Sequence, residues 1–297
     1  MPMKRRQLFT FLAGLTGLGV TFYFQRRQAH AVNITPLPEA VQGNPLLRFV
    51  TLGDFGTGSS AQYNLGKAMA DYHSQSPYHL ALTVGDNIYN EGEIEKIERV
   101  FEIPYGALLA RGVKFRATLG NHDIRTNNGD PQVAYPGFNM DGRYYTYTDG
   151  PAQFFALDTN GNADWDHQLA WLDRELAAST APWKIVYGHH NIYTSGHYGV
   201  NQARWAQIAK SFFKRYGVQL YINGHDHHYE RTVPIEGTTY LTTGSGAGLR
   251  AAGHSAWTAY SASRLGFGAM EIYPDHLVIR GIGPQGELFD QGVISRT

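Results

Sequence analysis

The feature that most constrains the fold is a repeated pattern in which a short apolar run ends in glycine and a polar residue. It occurs in "GDFG" (53–56), "GDNIYN" (85–90), "GNHD" (120–123), "GHH" (188–190) and "GHDHH" (224–228). The preceding runs have strand length and β-branched or aromatic character, so each segment is expected to leave a buried strand. Ligands of α/β sheets bind at the carboxyl ends of strands, where such loops converge. The five segments therefore predict one shared site.

The runs between these segments predict alternating strands and helices. Strands are predicted at 47–53, 79–84, 113–119, 143–148, 152–157, 183–187 and 218–222, with further antiparallel strands at 238–243, 267–273, 276–282 and 288–294. Helices are predicted near 61–74, 93–110, 166–178 and 202–216. The order predicts an α/β fold, a layered β-sandwich flanked by helices that contains a βαβαβ motif.

Composition limits the chemistry of the predicted site. The 297-residue chain holds no cysteine, which excludes thiolate metal ligands, disulfides and cysteine nucleophiles. Any metal must be held by nitrogen and oxygen donors. The formal net charge is zero with histidine neutral, and no basic excess indicates nucleic acid as the main partner.

Seven residues with oxygen or nitrogen donors follow the predicted strands. They are Asp54, Asp86, Tyr89, Asn121, His189, His225 and His227. Seven donors are too many for one tetrahedral zinc with an open position, but they suit two cations that share a bridging carboxylate. Asp86 is the expected bridge because it follows the second strand, between the flanking groups. Such a pair of cations, about 3.5 to 4 Å apart, activates water and polarises phosphoryl oxygens, which indicates phosphate ester hydrolysis.

The ordered set "GDFG", "GDNIY", "GNHD", "VYGH" and "GHDHHYER" resembles the calcineurin-like metallophosphoesterases, and among them the purple acid phosphatases. The tyrosine of "GDNIY" is the discriminating position. The resemblance implies a ferric site made by Asp54, Asp86, Tyr89 and His227. It also implies a second site for Fe(II), Zn(II) or Mn(II), made by Asp86, Asn121, His189 and His225.

The resemblance further implies an acid phosphatase-type hydrolase of small phosphate monoesters. A metal-bound hydroxide would attack phosphorus, so no protein nucleophile is needed. His122 matches a family histidine that contacts the substrate phosphate, and His197 falls near one that protonates the leaving group. His190 and His228 are expected to point away from the metals, and Asp123, Asp158 and Asp226 to orient histidines.

Two alternatives stay open on the sequence. The metal set does not choose between monoesters and diesters, so a phosphodiesterase or nucleotide hydrolase on the same site is one. Loops 124–142 and 190–200 would decide it by closing a pocket or leaving a groove. The second alternative is a non-enzymatic, metal-binding envelope protein. The loss of a metal ligand or of His122 would favour it.

The first 31 residues differ in composition from the rest. They have a basic start, an apolar stretch from Leu8 to Phe24 and an A-x-A cleavage pattern at 29–31. Arg5 and Arg6 resemble the twin-arginine export signal, and the other interpretations are an ordinary secretory signal and an uncleaved anchor. We predict an export signal at 1–31, a linker at 32–46 and one catalytic domain at 47–297. The mature protein is expected to be periplasmic or extracellular, without stable membrane association.

Overall fold

Two β-sheets pack face to face in the computed structural model, which describes residues 37, 41 and 43–296. The strands of this part of the chain are β1 (Leu47–Leu52), β2 (Leu80–Val84), β3 (Lys114–Thr118), β4 (Tyr145–Asp149), β5 (Ala152–Ala156), β6 (Trp183–Tyr187), β7 (Leu220–Asn223), β8 (Tyr229–Thr232), β9 (Thr239–Thr243), β10 (Thr258–Ala262), β11 (Phe267–Ile272), β12 (His276–Ile282) and β13 (Leu288–Ser295). The α-helices are α1 (Ser60–Gln75), α2 (Gly106–Leu109), α3 (Asp130–Val133), α4 (Trp165–Ala178) and α5 (Arg204–Tyr216).

Each sheet combines a parallel half with antiparallel strands at its margin. The first has the order β13-β12-β11-β1-β2-β3, in which β1, β2 and β3 are parallel. The second has the order β10-β8-β9-β7-β6-β5-β4, in which β5, β6, β7 and β9 are parallel. The predicted α/β sandwich with a βαβαβ motif is confirmed. The expectation for 238–243 is wrong in part, because β9 pairs parallel with β7 and antiparallel only with β8.

The apolar faces of both sheets form the central core. Phe49 of β1 meets Phe154 of β5 edge to face, with ring centroids 5.3 Å apart. Helices α1 and α2 cover the outer face of the first sheet, and α4 and α5 cover that of the second. Burial of apolar side chains in these layers supplies the main driving force for the fold, at about 25 cal/mol per Å².

The segment 93–110 departs from its predicted single helix. It forms a 3₁₀ turn at Ile94–Lys96, a π turn at Glu98–Glu102 and the short α2. Pro104 lies between the last two and has no backbone N–H to donate, so the helix cannot run through it.

The five polar segments follow β1, β2, β3, β6 and β7, as predicted. Because these strands run parallel to their neighbours within each sheet, their carboxyl ends bring the loops together. In the part of the chain that the structure describes, no helix has the length and apolarity needed to cross a membrane. The predicted export signal at 1–31 and most of the predicted linker lie outside the described residues.

Candidate metal centre

Four of the seven predicted donors form one group. The Tyr89 hydroxyl lies 3.2 Å from Asp54 Oδ1, 2.9 Å from Asp86 Oδ2 and 3.2 Å from His227 Nε2. His227 Nε2 also lies 3.2 Å from Asp54 Oδ1. The donor atoms of Asp54, Asp86 and His227 all lie within 4.8 Å of one another, close enough to ligate one ion.

The other three donors form a second group on the far side of Asp86. His189 Nε2 lies 3.1 Å from both Asn121 Oδ1 and His225 Nδ1, and 3.5 Å from Asp86 Oδ1. Asp86 therefore touches both groups, one through each carboxylate oxygen, which is the arrangement a bridging ligand needs. The structure brings together all seven predicted residues.

The loops reach this geometry through left-handed backbone at the donors themselves. Asp54, Asp86 and His225 have φ values of 56°, 52° and 66°, which non-glycine residues adopt at a cost. Each is the first residue after a strand-ending glycine.

The neighbouring glycines allow the loops to approach closely. A Cβ added to Gly120 would lie 2.2 Å from the backbone nitrogen and Oδ1 of Asp86, and one added to Gly224 would lie 2.3 Å from Asp54 Oδ2. No side chain fits at these two positions without moving a predicted ligand.

The electrostatics of the first group fit a cation. Burial and the nearby charge of Asp86 raise the pKa of Asp54 to about 7, although hydrogen bonds from His227 and His225 oppose the rise. Burial also raises the pKa of the Tyr89 phenol well above its usual value. Two buried carboxylates and a phenol oxygen at such short range are unfavourable without a positive charge between them.

In the second group, atoms that carry lone pairs face one another. His189 Nδ1 donates to the carbonyl of Val84 at 2.9 Å, so Nε2 carries a lone pair. This Nε2 atom faces Asn121 Oδ1 and His225 Nδ1. Burial lowers the pKa of His189 well below its usual value and that of His225 to about 2, so both rings are neutral, which is the ligating form. Both groups thus fit metal ions.

His190 corrects the sequence expectation. Its ring does not point away from the predicted ligands. The centroid of the His190 ring lies 4.4 Å from that of His225 and 5.0 Å from that of His189. The donor atoms of these three histidines lie within 4.8 Å of one another, and His190 Nδ1 bonds to the Thr159 hydroxyl at 2.9 Å. The chain bends after β6, so the side-to-side alternation of a strand does not apply. The adjacent letters "HH" were the only sequence signal for this residue.

The expected histidine-orienting carboxylates have other partners in two cases. Asp123 accepts hydrogen bonds from the backbone N–H groups of Gly120, Asn87 and Ile88, at 2.7 to 3.1 Å. Asp158 accepts from Arg143 at 3.0 Å. These residues hold loops rather than rings. Asp226 does face a histidine, His228, which is buried away from the two groups as predicted.

The two predicted catalytic histidines lie in different surroundings. His122 donates its backbone N–H to Asp86 Oδ1 at 2.9 Å, and its Nε2 lies 4.0 Å from Asp86 Oδ2. Its ring meets that of Tyr89, with centroids 4.5 Å apart. His197 is exposed and contacts the ring of Tyr198 at 4.8 Å, so its role stays a prediction.

Tyr198 is a residue of the site that sequence reasoning missed. Its ring stacks on that of His225, with centroids 4.0 Å apart and an interplanar angle of 18°. No local pattern in "SGHYG" marks it, since the contact joins two loops from different strands.

Comparison with known proteins gives a consistent family assignment. A family model described as Calcineurin-like phosphoesterase matches residues 47–229. The chain is 29% identical to purple acid phosphatase 7 of Arabidopsis thaliana over 232 residues, 68% of this chain and 70% of that protein. It is 26% identical to human tartrate-resistant acid phosphatase type 5 over 249 residues, 71% of this chain and 76% of that protein.

A solved structure shares the fold. The Plasmodium protein GAP50, described as the anchor in the inner membrane complex, superposes with a TM-score of 0.72 at 22% identity. The match covers 84% of this chain and 89% of that one. At this identity the likeness concerns the fold alone.

Proposed function

The chain belongs to the calcineurin-like phosphoesterase family, and we propose that it is a metal-dependent phosphoric monoester hydrolase of the purple acid phosphatase type. The observation that carries the proposal is the pair of donor groups joined by Asp86. The similarity of this chain to acid phosphatases supports the same conclusion. The complete donor set, with His122 beside it, favours an enzyme over a protein that keeps only the fold.

We assign Asp54, Asp86, Tyr89 and His227 to Fe(III), and Asp86, Asn121, His189 and His225 to a divalent Fe, Zn or Mn ion. Tyr89 supports the ferric assignment, since a phenolate oxygen is a hard anionic ligand that favours a trivalent ion. The imidazole-rich group suits a softer divalent ion. When bound, two such cations polarise a phosphoryl oxygen and lower the pKa of water.

The protein's own residues bind the ester and move a proton. The Nδ1 of His122 donates to the Asn90 carbonyl at 2.7 Å, so its Nε2, which lies beside Asp86, donates a hydrogen bond to a phosphoryl oxygen when the ring is protonated. The loop at 194–198 carries His197 to the same side of the molecule as His225, through the stacking of Tyr198. In this proposal His197 protonates the leaving oxygen of a small phosphate ester.

The visible spectrum and metal content of the purified protein test the proposal. A charge-transfer band from tyrosinate to ferric iron is expected, with loss of the band in Tyr89→Phe. Tyr63→Phe is a matched control, because the Tyr63 hydroxyl bonds to the Arg99 carbonyl on the surface. A colourless protein with two zinc or manganese ions would overturn the ferric assignment but keep the hydrolase. A protein that takes up no metal would overturn both.

Paired substrates test the diesterase alternative. We expect p-nitrophenyl phosphate to be hydrolysed with a higher kcat/KM than bis(p-nitrophenyl) phosphate, because two cations and His122 suit a dianionic phosphate. The reverse order would favour a diesterase on the same site.

We also propose that residues 1–31 direct export by the twin-arginine route to the periplasm or the extracellular space. The basic start, the apolar stretch and the A-x-A pattern support it. Exchange of Arg5 and Arg6 for lysine is expected to leave the protein in the cytoplasm with residues 1–31 attached. Exchange of Arg26 and Arg27 for lysine is the control. Unchanged export of the first variant contradicts the route.

A further inference from the structure

We propose that Arg250 is a specificity-determining residue that binds an anionic group on the leaving group of the substrate. The preferred substrates are then phosphate monoesters whose leaving group carries a second anion, a phosphate or a carboxylate. This inference rests on the proposed hydrolase function and names its substrate class.

The loop that carries Arg250 lies directly on the proposed metal-binding loop. The backbone N–H of Arg250 donates to the carbonyl of His227 at 2.7 Å, and its Nη1 donates to the carbonyl of His225 at 3.0 Å. A Cβ added to Gly248 in the same loop would lie 3.3 Å from His227 Nδ1. Arg250 is thus bonded to the segment that carries two predicted ligands.

Tyr198 holds the guanidinium beside His225. Its hydroxyl accepts from Arg250 Nη1 at 3.0 Å, and the guanidinium carbon lies 5.3 Å from its ring centroid. The same ring stacks on His225 and is 40% exposed. Arg250 and His197 line one depression beside this ring. The side chain is therefore oriented before a ligand arrives, which reduces the entropy lost on binding.

Arg250 lacks the carboxylate partner that comparable arginines have. In residues 43–296, no Asp or Glu oxygen lies within ion-pair distance of it. The partly buried arginines elsewhere in this range are paired, among them Arg116 with Asp141, Arg143 with Asp158 and Arg231 with Asp290. The guanidinium has hydrogen bonds and a ring contact but no counter-charge, and an anionic ligand would supply one.

The chemistry of the free donors selects the ligand. Within residues 43–296, the hydrogen bonds of the side chain use Nη1, which leaves Nε and Nη2 for a ligand. A guanidinium edge matches phosphate and carboxylate oxygens in pairs. The scissile phosphate belongs at the metals, so the anion at Arg250 belongs to the leaving group.

Matched pairs of esters test the proposal. Adenosine 3′,5′-bisphosphate and AMP are both phosphate monoesters, and their leaving groups are an anionic nucleotide and neutral adenosine. The leaving groups of 3-phosphoglycerate and glycerol 3-phosphate differ by a carboxylate. For each pair, the measured quantity is kcat/KM for the ester with the charged or more highly charged leaving group, divided by kcat/KM for the ester with the neutral leaving group. In Arg250→Gln the ratio is expected to fall about tenfold, and less in Arg250→Lys, which keeps the charge but not the planar fork. A fall confined to the adenosine pair identifies phosphate as the ligand, and one confined to the glycerate pair identifies carboxylate.

Arg204→Gln is the charge-matched control, because Arg204 pairs with Asp166 on the surface and lies outside the site. Equal losses on all four esters would show that Arg250 only braces the loop and would overturn the proposal, as would unchanged ratios. A wild-type protein that hydrolyses none of the esters would overturn the hydrolase function and the inference with it. If Arg250→Gln does not fold, the ratio in Arg250→Lys decides.

Discussion

At the scale of single residues, the site depends on conformations and contacts that few side chains allow. Asp54, Asp86 and His225 have left-handed backbone conformations. Gly120 lies too close to Asp86, and Gly224 too close to Asp54, for either to carry a side chain. Such strain persists only where the surrounding structure imposes it. Here the surrounding structure is the packed edge of two sheets, and the result is a set of donors placed before any ligand binds.

Gly120→Ala is expected to abolish stable binding of metal. The added Cβ would lie 2.2 Å from the backbone nitrogen and Oδ1 of Asp86, so the proposed bridging ligand must move. Overpacking of this kind costs about 1–3 kcal/mol of folding stability. Metal content and the thermal unfolding midpoint measure the two effects. Gly161→Ala is the control, since its added Cβ meets open space; a variant of Gly120 with full metal content would contradict the prediction.

At the scale of elements, buried polar residues join the strands to the loops of the site. Glu230 on β8 accepts hydrogen bonds from the backbone N–H and hydroxyl of Ser195, both at 2.6 Å, and from Thr258 at 2.8 Å. It thereby ties the loop of Tyr198 to the second sheet. Glu271 on β11 accepts from Arg48 of β1 and Arg280 of β12, at 3.0 and 2.7 Å.

Glu230→Ala is expected to release the loop at 194–198 and to lower stability by about 3 kcal/mol. The buried partners Ser195, Thr258 and His228 would lose a charged acceptor, which costs more than the loss of an exposed ion pair. Hydrogen exchange at 194–198 and the free energy of unfolding are the measurements. Glu236→Ala, which removes an exposed pair with Lys214, is the control. Equal protection of the loop in both variants would contradict the anchoring role.

Glu271→Gln is expected to lower stability at neutral pH but not in acid. Burial alone raises the pKa of Glu271, but the hydrogen bonds from Arg280 and Arg48 outweigh it and leave the pKa below its ordinary 4.5. A carboxylate whose pKa is lowered by folding contributes its full stabilisation above its pKa in the unfolded chain. This stabilisation is lost as the pH falls through its pKa in the folded protein. A difference of about 1–2 kcal/mol at pH 7 should vanish once the pH has fallen through the lowered pKa of the folded protein. Denaturant unfolding against pH, with exposed Glu95→Gln as the control, measures it; a constant difference contradicts the linkage.

At the scale of the whole molecule, the donor groups join the two sheets. Asp54, Asp86 and Asn121 follow strands of the first sheet, whereas His189, His225 and His227 follow strands of the second. Each proposed ion therefore takes ligands from both sheets. Ions that bind only the folded state stabilise it by RT ln(1 + [L]/Kd).

Removal of metal is therefore expected to destabilise the whole domain. Chelation should lower the midpoint of thermal unfolding by several degrees, because the like charges of Asp54 and Asp86 lose their counter-ion and the sheets lose a cross-link. Calorimetry of the metal-loaded and chelated protein measures the change. The Asn121→Ala variant, without a predicted donor, should show a smaller difference. Identical midpoints with and without chelator would contradict a site that joins the sheets.

Much of the fold and of the site could be predicted because the signals are local. An apolar run followed by glycine and a polar residue marks a strand end within about ten residues, and seven donors placed in this way meet in the structure. His190, the bonds of Asp123 and the break at Pro104 were not predicted correctly. Their geometry depends on bends and on partners far away in the chain, which a short pattern does not contain.

By itself, the sequence determined that strands alternate with helices, that cysteine chemistry is absent, and which seven side chains lie at strand ends. Only the tertiary structure decided that Asp86 touches both donor groups, that Tyr198 stacks on His225, and that Arg250 has no carboxylate partner among the described residues. Strand ends follow from local hydrophobic patterns, whereas contacts between loops depend on how two sheets pack. The residues that we infer to select the substrate belong to the second kind.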